Sequence, residues 1–298
     1  MIVYLICYAA SWISARFGLY YLSGTALFLA AGYLYVYDYR RSGNLIHLRG
    51  LFSCFWVGGQ GAACLKLSKL QTDWAIQTWI CFFLALVGFW ITFEVLDRLM
   101  GGNERFTMNR YRQRSTVRPL FFCIVGLTVI SAAAFVTEVA VLGFIPVLVR
   151  GVPHAYSAFH MTGLHYVTVS CVLIPAMTVL YFEQGGSRSG RKNGLIVLCT
   201  LVSIAIPILC VSRFQLVFAV ILAVFTFCAS QKNVSPWLFV AAVVALIPCY
   251  VLLTVARSHD VTYLNGIFEM KNSRMPIFVS QPYIYIANNY ENFDCLVK

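Results

Sequence analysis

The chain has 298 residues, of which 60% are hydrophobic and only 11% are charged, and its mean hydropathy is +0.77. Soluble domains carry about 25% charged residues, so this composition excludes an ordinary soluble enzyme, a disordered protein and a small disulfide-rich secreted protein. Lysine and arginine total 22 against 11 acidic residues. The basic residues form short clusters between long apolar runs, a distribution typical of membrane topology and not of a nucleic-acid-binding groove.

The apolar runs predict an all-α, polytopic integral membrane bundle with 8–9 transmembrane helices, because about 20 apolar residues are needed to cross the hydrocarbon core. The first run, Ile2–Ile13, is short, and it is a span, a re-entrant segment or a truncated helix. It lacks the basic start of a signal peptide, so we expect it to be retained. The eight longer candidates are Phe17–Tyr37, Ile46–Cys64, Trp74–Leu96, Pro119–Leu142, Gly163–Phe182, Gly194–Val211, Phe214–Ser230 and Pro236–Val255.

The charges of alternate loops predict the orientation of the bundle. One set of loops holds twelve basic residues, whereas the other set of short loops holds five, namely Arg16, Lys66, Lys69, Arg150 and Arg213. The positive-inside rule places the first set in the cytoplasm and the second outside. We expect residues 1–255 to form the transmembrane bundle and residues 256–298 to form an outward-facing, aromatic-rich tail, which is either complete or a truncated outer loop.

Cofactor and nucleotide motifs are absent from the sequence. Ten of the eleven cysteines lie inside apolar runs, and no CxxC or Cys/His pair has metal-ligand spacing, so we interpret the cysteines as packing residues. No Walker A loop, dinucleotide-binding glycine motif or internal repeat occurs, which reduces the support for membrane ATPases and inverted-repeat transporters. We therefore expect neither a metal nor another cofactor.

A few charged side chains at the predicted outer ends of the spans are candidate functional groups. Arg213 lies in a tight turn between two spans, Arg150 follows an apolar stretch, and Arg257 opens the tail. Such a guanidinium either reaches lipid headgroups or binds a phosphate through two hydrogen bonds. Glu138 lies near the outer end of an otherwise uncharged run, where it either pairs with an arginine or has a catalytic role.

Histidines and the tail supply a second group of candidates. His154, His160, His165 and His259 lie on or near the predicted outer side, and histidine is the usual general base near neutral pH. His165 is the foremost of these because it lies just inside a span. The tail alternates aromatic rings with amides, which suits either sugar binding or an interfacial belt. The candidate sugar-binding residues are His154, Tyr283, Tyr285, Asn288 and Asn289.

Four segments of the chain resemble a known family. They are LFSCFWVGGQGAACLKLSKLQTDWAIQTWICFFLALVGFW, RGVPHAYSAFHMTGLHYV, SRFQLVF and QPYIYIANNYENFDCLV. In layout they are similar to the Wzy-type oligosaccharide repeat-unit polymerases, also called O-antigen polymerases. The resemblance implies a multi-pass glycosyltransferase of the bacterial plasma membrane, which joins repeat units carried on undecaprenyl pyrophosphate at the outer face. Members of this family are longer, which leaves open that the chain is a fragment.

The resemblance also implies roles for the candidate residues. By position, Arg150, Arg213 and Arg257 match the arginines that engage the lipid pyrophosphate in this family. From the residues themselves, we expect His165 or Glu138 to take the proton of the acceptor hydroxyl. Leaving-group charge would then be stabilised by arginines, so we expect a metal-independent reaction. The expected partners are the lipid-linked oligosaccharide, the bilayer and, as open alternatives, a chain-length regulator and a flippase, but no nucleic acid. A flippase of lipid-linked oligosaccharides and an O-antigen ligase stay open as alternative functions.

Overall fold

The computed structural model describes residues 1–99, 117–149, 155–231, 234–235, 237–256 and 265–298, and most of these residues are helical. No β-strand occurs in the described ranges, so the predicted all-α fold class is confirmed there. Two short 3₁₀ helices are Pro146–Leu148 and Ser170–Leu173. The α-helices are α1 (Ile2–Arg16), α2 (Tyr20–Ser42), α3 (Leu48–Cys64), α4 (Ile76–Leu99), α5 (Val117–Leu142), α6 (Ala155–Ala158), α7 (Leu164–Val169), α8 (Ile174–Glu183), α9 (Gly190–Leu209), α10 (Arg213–Ser230), α11 (Trp237–Ala256) and α12 (Ile277–Val297).

Among the residues that the structure describes, five helical segments are long and apolar enough to cross a membrane. They are α4, α5, the continuous segment Leu164–Glu183, α9 and α10. Their outward faces carry large apolar side chains, such as Leu84, which is 57% exposed, and Val129, which is 61% exposed. Lipid solvates such faces, whereas water does not. A multi-pass membrane protein is therefore supported.

The prediction of eight or nine spans is not confirmed. Helix α3 has 17 residues and α1 has 15, and both are shorter than a typical span. Helix α2 has 23 residues, but tyrosines, Ser23 and Asp38 interrupt its apolar sequence. Polar residues do not prevent α2 from forming a helix or from packing, but they are unfavourable where a helix faces lipid. For this reason, the length of α2 alone does not identify it as a span.

The chain divides into two compact units. Unit 1 comprises Met1–Arg105 together with Val261–Lys298, and unit 2 comprises Phe106–Asp260. The C-terminal residues that the sequence presented as a tail therefore contribute a helix, α12, to the same unit as α1–α4. Each unit has a core of its own, and each is described by itself below.

Unit 1 is built on a close contact between two glycines and on an aromatic core. Gly61 lies against the Gly24 carbonyl, and a Cβ atom on Gly24 would come within 2.8 Å of the Gly61 oxygen. Small residues permit such close backbone approach between membrane helices, so α2 and α3 pack tightly here. The buried aromatic residues of this core include Tyr4, Trp79 and Phe82.

A buried ion cluster lies at the other end of α3. The Arg49 guanidinium is 2% exposed, and it donates hydrogen bonds to the carboxylates of Asp38 and Glu94. The ring of Trp90 lies 4.4 Å from the guanidinium carbon. Arg41 contacts Glu94 at 3.2 Å from the more exposed side. The cluster joins α2, α3 and α4, because each of these helices supplies a charge that requires the others.

Helix α12 is held on α3 and α4 by two acidic residues. Glu291 accepts hydrogen bonds from Lys66 Nζ at 2.5 Å and from Trp74 Nε1 at 2.9 Å. Asp294 accepts from Thr78 Oγ1 at 2.6 Å and pairs with Lys298 at 2.6 Å. Burial opposes ionisation of Asp294, but the hydrogen bonds from its partners outweigh burial and lower the pKa of this carboxyl.

Unit 2 is a bundle of α5 and α7–α10 with α11 against α10. Its core combines aliphatic residues such as Ile124 and Ile196 with buried aromatic residues such as Phe159 and Tyr181. The Thr178 and Thr200 hydroxyls share a hydrogen bond of 2.8 Å between α8 and α9. Polar contacts of this size contribute to helix association where the surrounding medium is apolar.

Removal of Arg49 should strongly destabilise unit 1. We expect Arg49→Met to lower the free energy of unfolding by about 3–5 kcal/mol, because it leaves the buried Asp38 carboxylate without its partner. The double variant Asp38→Leu/Arg49→Met should recover most of this loss, since no buried charge remains. Thermal unfolding in detergent measures the stability of the single and the double variant. Arg98→Met is the matched control, because Arg98 is an exposed arginine of α4. Equal destabilisation by the single and double variants would contradict this account.

The contacts of Asp294 should make the free energy of unfolding depend on pH in the acidic range. The lowered pKa means that Asp294 contributes stability above its unfolded-state pKa of about 3.9, and that this contribution is lost as the pH falls further through the folded-state pKa. Asp294→Asn should therefore be less stable than the parent at pH 7, by about 1–3 kcal/mol, and the difference should shrink in acid. Thermal unfolding of both proteins between pH 3 and pH 7 measures this. A difference that stays constant across the series would show that the carboxylate charge is not responsible.

Candidate functional site

The loops and turns at one end of unit 2 converge. Val147, in the 3₁₀ helix after α5, packs with Val211, Leu216 and Leu253. Val211 lies in the turn between α9 and α10, and Leu253 lies near the end of α11. Three chain segments that are far apart in sequence therefore meet at this end, and two of the charged candidates, Glu138 and Arg213, lie on helices that end or begin here.

Glu138 lies in the last quarter of α5 and is fully buried. Thr168 Oγ1 donates a 2.8 Å hydrogen bond to Glu138 Oε2, and the Met161 N–H donates to Oε1 at 3.4 Å. His165 Nδ1 lies 3.1 Å from the same Oε1. Two hydrogen-bond donors and one histidine nitrogen thus surround the carboxylate, so its buried oxygen atoms have polar partners.

A glycine turn brings His165 to Glu138. Gly163 precedes α7 with φ of +87°, a conformation that side chains disfavour. The chain reverses there, so the His165 N–H donates a 3.0 Å hydrogen bond to the Met161 carbonyl. As a result, Met161, His165 and Thr168 all face the end of α5.

The Glu138–His165 pair has the geometry of a carboxylate-oriented imidazole. His165 Nδ1 lies within hydrogen-bond distance of Glu138, and among the described residues the hydrogen-bond contacts of the ring use Nδ1 and not Nε2. The His165 side chain is 21% exposed, whereas Glu138 is 0% exposed. His160 is exposed, and its ring lies 5.5 Å from that of His165. The histidine is therefore the more accessible member of the pair, and the glutamate orients its ring.

Arg213 begins α10 and is 4% exposed. Its guanidinium carbon lies 5.0 Å from the centre of the Tyr250 ring, in cation–π contact. The preceding turn is tight, because Val211 has φ of +53° and the Ser212 N–H donates to the Pro207 carbonyl at 2.8 Å.

The remaining predicted site residues fall elsewhere. Arg150, His154 and Arg257 lie outside the described residues. The four tail candidates, Tyr283, Tyr285, Asn288 and Asn289, lie on α12 in unit 1. The Glu138, His165 and Arg213 group is in unit 2.

The Tyr283 side chain is buried, and its hydroxyl forms hydrogen bonds within unit 1. It is 7% exposed, its hydroxyl donates to Gln71 Oε1 at 2.5 Å, and it accepts the Leu67 N–H at 2.8 Å. Burial raises the pKa of Tyr283 to about 12. By contrast, Tyr285 is 51% exposed, and with Asn289 it lines an open, mostly apolar pocket of about 670 Å³ in unit 1.

Thr168 is the site residue that the sequence reasoning missed. It follows His165 by three positions on α7, so both side chains share one helix face. That spacing, combined with the buried carboxylate, is the signal that would have identified it. Within the part of the chain that the structure describes, no three His, Cys, Asp or Glu residues lie together as a metal site.

No family model, curated protein or solved structure matches this chain.

Loss of the Thr168 hydroxyl should weaken the carboxylate site. We expect Thr168→Val to lower the free energy of unfolding by about 1–3 kcal/mol, because the buried Glu138 loses its shortest hydrogen bond. Thr168→Ser keeps the hydroxyl and should stay within about 1 kcal/mol of the parent protein. Thermal unfolding of the two variants in the same detergent provides the comparison, and equal losses would indicate that the methyl group and not the hydroxyl matters.

Proposed function

We propose that this chain is a membrane glycosyltransferase that polymerises undecaprenyl-pyrophosphate-linked oligosaccharide repeat units at the outer face of the bacterial plasma membrane. The observation that carries the proposal is the Glu138–His165 pair, a general base with its orienting carboxylate, at the end of unit 2 where α10 begins with the buried Arg213. The resemblance of four segments to the repeat-unit polymerases supports the same reaction class.

The proposed reaction transfers a glycosyl chain from a lipid pyrophosphate to a sugar hydroxyl. The acceptor oxygen attacks the anomeric carbon, the bond from that carbon to the pyrophosphate oxygen breaks, and undecaprenyl pyrophosphate leaves with the bonding electrons. The acceptor proton passes to His165 Nε2. Glu138 stabilises the resulting imidazolium through the Nδ1 hydrogen bond, so its role is positioning and electrostatic.

Arg213 is proposed to bind the leaving pyrophosphate. A guanidinium offers paired N–H donors that match phosphate oxygens, and its charge opposes the negative charge that develops as the bond breaks. Arg150 and Arg257 are proposed to share this role, and His154 with Tyr285, Asn288 and Asn289 to contact sugar. Tyr283 is the least suited of the predicted sugar ligands, because its hydroxyl is already engaged by Gln71 and Leu67.

The proposed topology has eight or nine spans with the site outside the cytoplasm. Within unit 1, two loops that the charge pattern predicts to be outside are in contact, since the Tyr20 hydroxyl after the first loop donates to Asp73 in the second at 2.9 Å. The segment before α12 joins the same end, where the Lys69 N–H donates to the Glu269 carbonyl at 2.9 Å. These contacts support one shared side for the first two loops and the C-terminal segment.

A ligase and a flippase are the competing functions. A ligase would use the same donor and base but a different acceptor, and a flippase would need no general base. The buried Glu138–His165 pair favours a group-transfer reaction over transport. A chain-length regulator and a flippase are proposed as protein partners of the polymerase.

Three substitutions test the polymerase. With a purified lipid-pyrophosphate-linked repeat unit, His165→Gln should slow elongation by about 100- to 10,000-fold, which is the usual contribution of a general base. Arg213→Ala should slow it by at least about 100-fold, and Arg213→Lys by less, because the charge is kept but the paired donors are lost. The products are read as a ladder on a gel, with and without a chelator.

Glu138→Gln tests whether the charge of Glu138, and not only its shape, supports the proposed role of His165. It keeps the side-chain shape but removes the charge that stabilises the imidazolium, so we expect a lower elongation rate and an altered pH profile while thermal stability is checked in parallel. Arg191→Ala is the matched control, since Arg191 is an exposed arginine of unit 2. Normal ladders from His165→Gln and Arg213→Ala would overturn the proposal, and transfer to a lipid acceptor without elongation would assign the ligase instead.

A further inference from the structure

A basic patch lies on the surface of unit 2 where α5 and α9 both begin. It consists of Arg118 in the first turn of α5, Arg188 shortly before α9, and Lys192 in the first turn of α9, and all three residues are exposed. The charge pattern of the sequence predicts this end to be cytoplasmic. Glu138 lies in the last quarter of α5, so the patch is at the opposite end of that helix from the proposed transfer site.

Aromatic and amide contacts hold the starts of α5 and α9 beside each other. Lys192 Nζ lies 5.8 Å from the centre of the Phe121 ring, and that ring lies 6.5 Å from the ring of Tyr181 at the end of α8. The Tyr181 hydroxyl donates to Asn193 Oδ1 at 3.0 Å. Phe121 follows Arg118 by three positions, so the two residues are neighbours on α5. The Lys192 ammonium group therefore lies against the side of α5 that also carries Arg118.

Acidic groups do not balance the positive charges of the basic patch. Among the residues that the structure describes, no Asp or Glu forms an ion pair with Arg118, Arg188 or Lys192. Glu183, the acidic residue nearest to Arg188 in sequence, instead accepts a hydrogen bond from Gln231 at 2.6 Å. Neither α5 nor α9 has an acidic residue in its first turn, and the helix dipole adds positive charge at this end. An anion at this surface would relieve the resulting repulsion.

Exposed apolar side chains place the basic patch at the edge of the hydrocarbon layer. Phe122 follows Arg118 by four positions and is 60% exposed, and Leu195 follows Lys192 by three positions and is 40% exposed. Residues at these spacings share a helix face, and both α5 and α9 are long and apolar enough to span a membrane. Each cation therefore lies one turn from an apolar side chain that lipid solvates. A soluble anion would contact only the charges, whereas a lipid would contact both.

We propose that the basic patch binds a phospholipid with a net negative headgroup, with the phosphate beside Arg118 and Lys192 and the acyl chains against Phe122 and Leu195. Basic residues at a membrane surface attract anionic headgroups, and the paired N–H groups of arginine match phosphate oxygens. The proposal does not rest on the polymerase function, because it needs only the apolar helices of unit 2 in a bilayer.

Native mass spectrometry of the full chain in a neutral detergent measures the binding of single lipid molecules. Phosphatidylglycerol is compared with phosphatidylcholine of the same acyl chains, so that the two lipids differ in the headgroup alone. We expect the parent protein to bind phosphatidylglycerol more tightly. Arg118→Gln and Lys192→Gln should each reduce this preference about fivefold, the effect of one basic residue at an anionic surface. Glycerol 3-phosphate, which has the charge but no acyl chain, should not displace the lipid.

Arg191→Gln is the matched control. Arg191 is exposed and lies in the same turn of α9 as Lys192, but adjacent residues of a helix do not share a face. The variant removes an equal charge and should leave the lipid preference nearly unchanged. Equal losses in all three variants would indicate a diffuse charge effect and overturn the site. Equal binding of the two lipids by the parent protein, or displacement by glycerol 3-phosphate, would also overturn it.

Thermal unfolding distinguishes a lost lipid site from a damaged fold. In neutral detergent without added lipid, Arg118→Gln and Lys192→Gln should be as stable as the parent protein or slightly more stable, because each removes a cation from the positive end of a helix dipole. Phosphatidylglycerol should then raise the melting temperature of the parent and of Arg191→Gln more than that of the other two variants. An equal rise in all four proteins would contradict the proposal.

Discussion

The structure depends on the requirement that a charge buried among apolar helices must have a partner. An isolated ion loses its hydration on burial, and only close opposite charges or several hydrogen bonds compensate for that loss. Asp38 with Arg49, Lys66 with Glu291, and Glu138 with its donors each satisfy this requirement. The Asp38–Arg49 pair joins the consecutive helices α2 and α3, Glu138 joins α5 to α7, and Glu291 joins α12 to Lys66, which lies 225 residues earlier. These charges therefore help to select which helices become neighbours within each unit.

The same requirement explains why the C-terminal segment is part of unit 1. An aromatic-rich sequence with scattered amides would be suited to lying loosely at an interface. Glu291 and Asp294, however, are directed at Lys66, Trp74 and Thr78, and the Tyr290 ring packs against Trp56. A Cβ atom on Gly59 would overlap with the Tyr290 hydroxyl, so the helix approaches α3 where that helix lacks a side chain. The contacts of α12 are therefore specific in charge and in shape.

The sequence was sufficient for the all-α fold class, but not for the contacts between the side chains that it singled out. Long apolar runs predict helices because only a helix satisfies its own backbone in lipid, whereas polar interruptions in α2 hide whether that helix spans. Glu138 and His165 were predicted as alternative bases 27 residues apart, and their pairing depends on the Gly163 turn, which no periodicity reveals. Arg49 lay unnoticed inside a predicted span because its two carboxylate partners come from other helices. Tyr283 matched a sugar-binding composition, yet its hydroxyl serves packing.

The buried charge clusters differ in how many of their polar atoms have a partner among the described residues. In the Arg49 cluster the more exposed member, Glu94, already receives Arg41, and Lys66 is enclosed by Thr72, Glu291 and the Trp74 ring. In the Glu138 cluster the carboxylate is fully engaged, but the histidine is partly exposed, and its Nε2 makes no hydrogen bond to the described residues. The proposed proton transfer to or from a bound hydroxyl requires a partly exposed imidazole of this kind beside an orienting carboxylate.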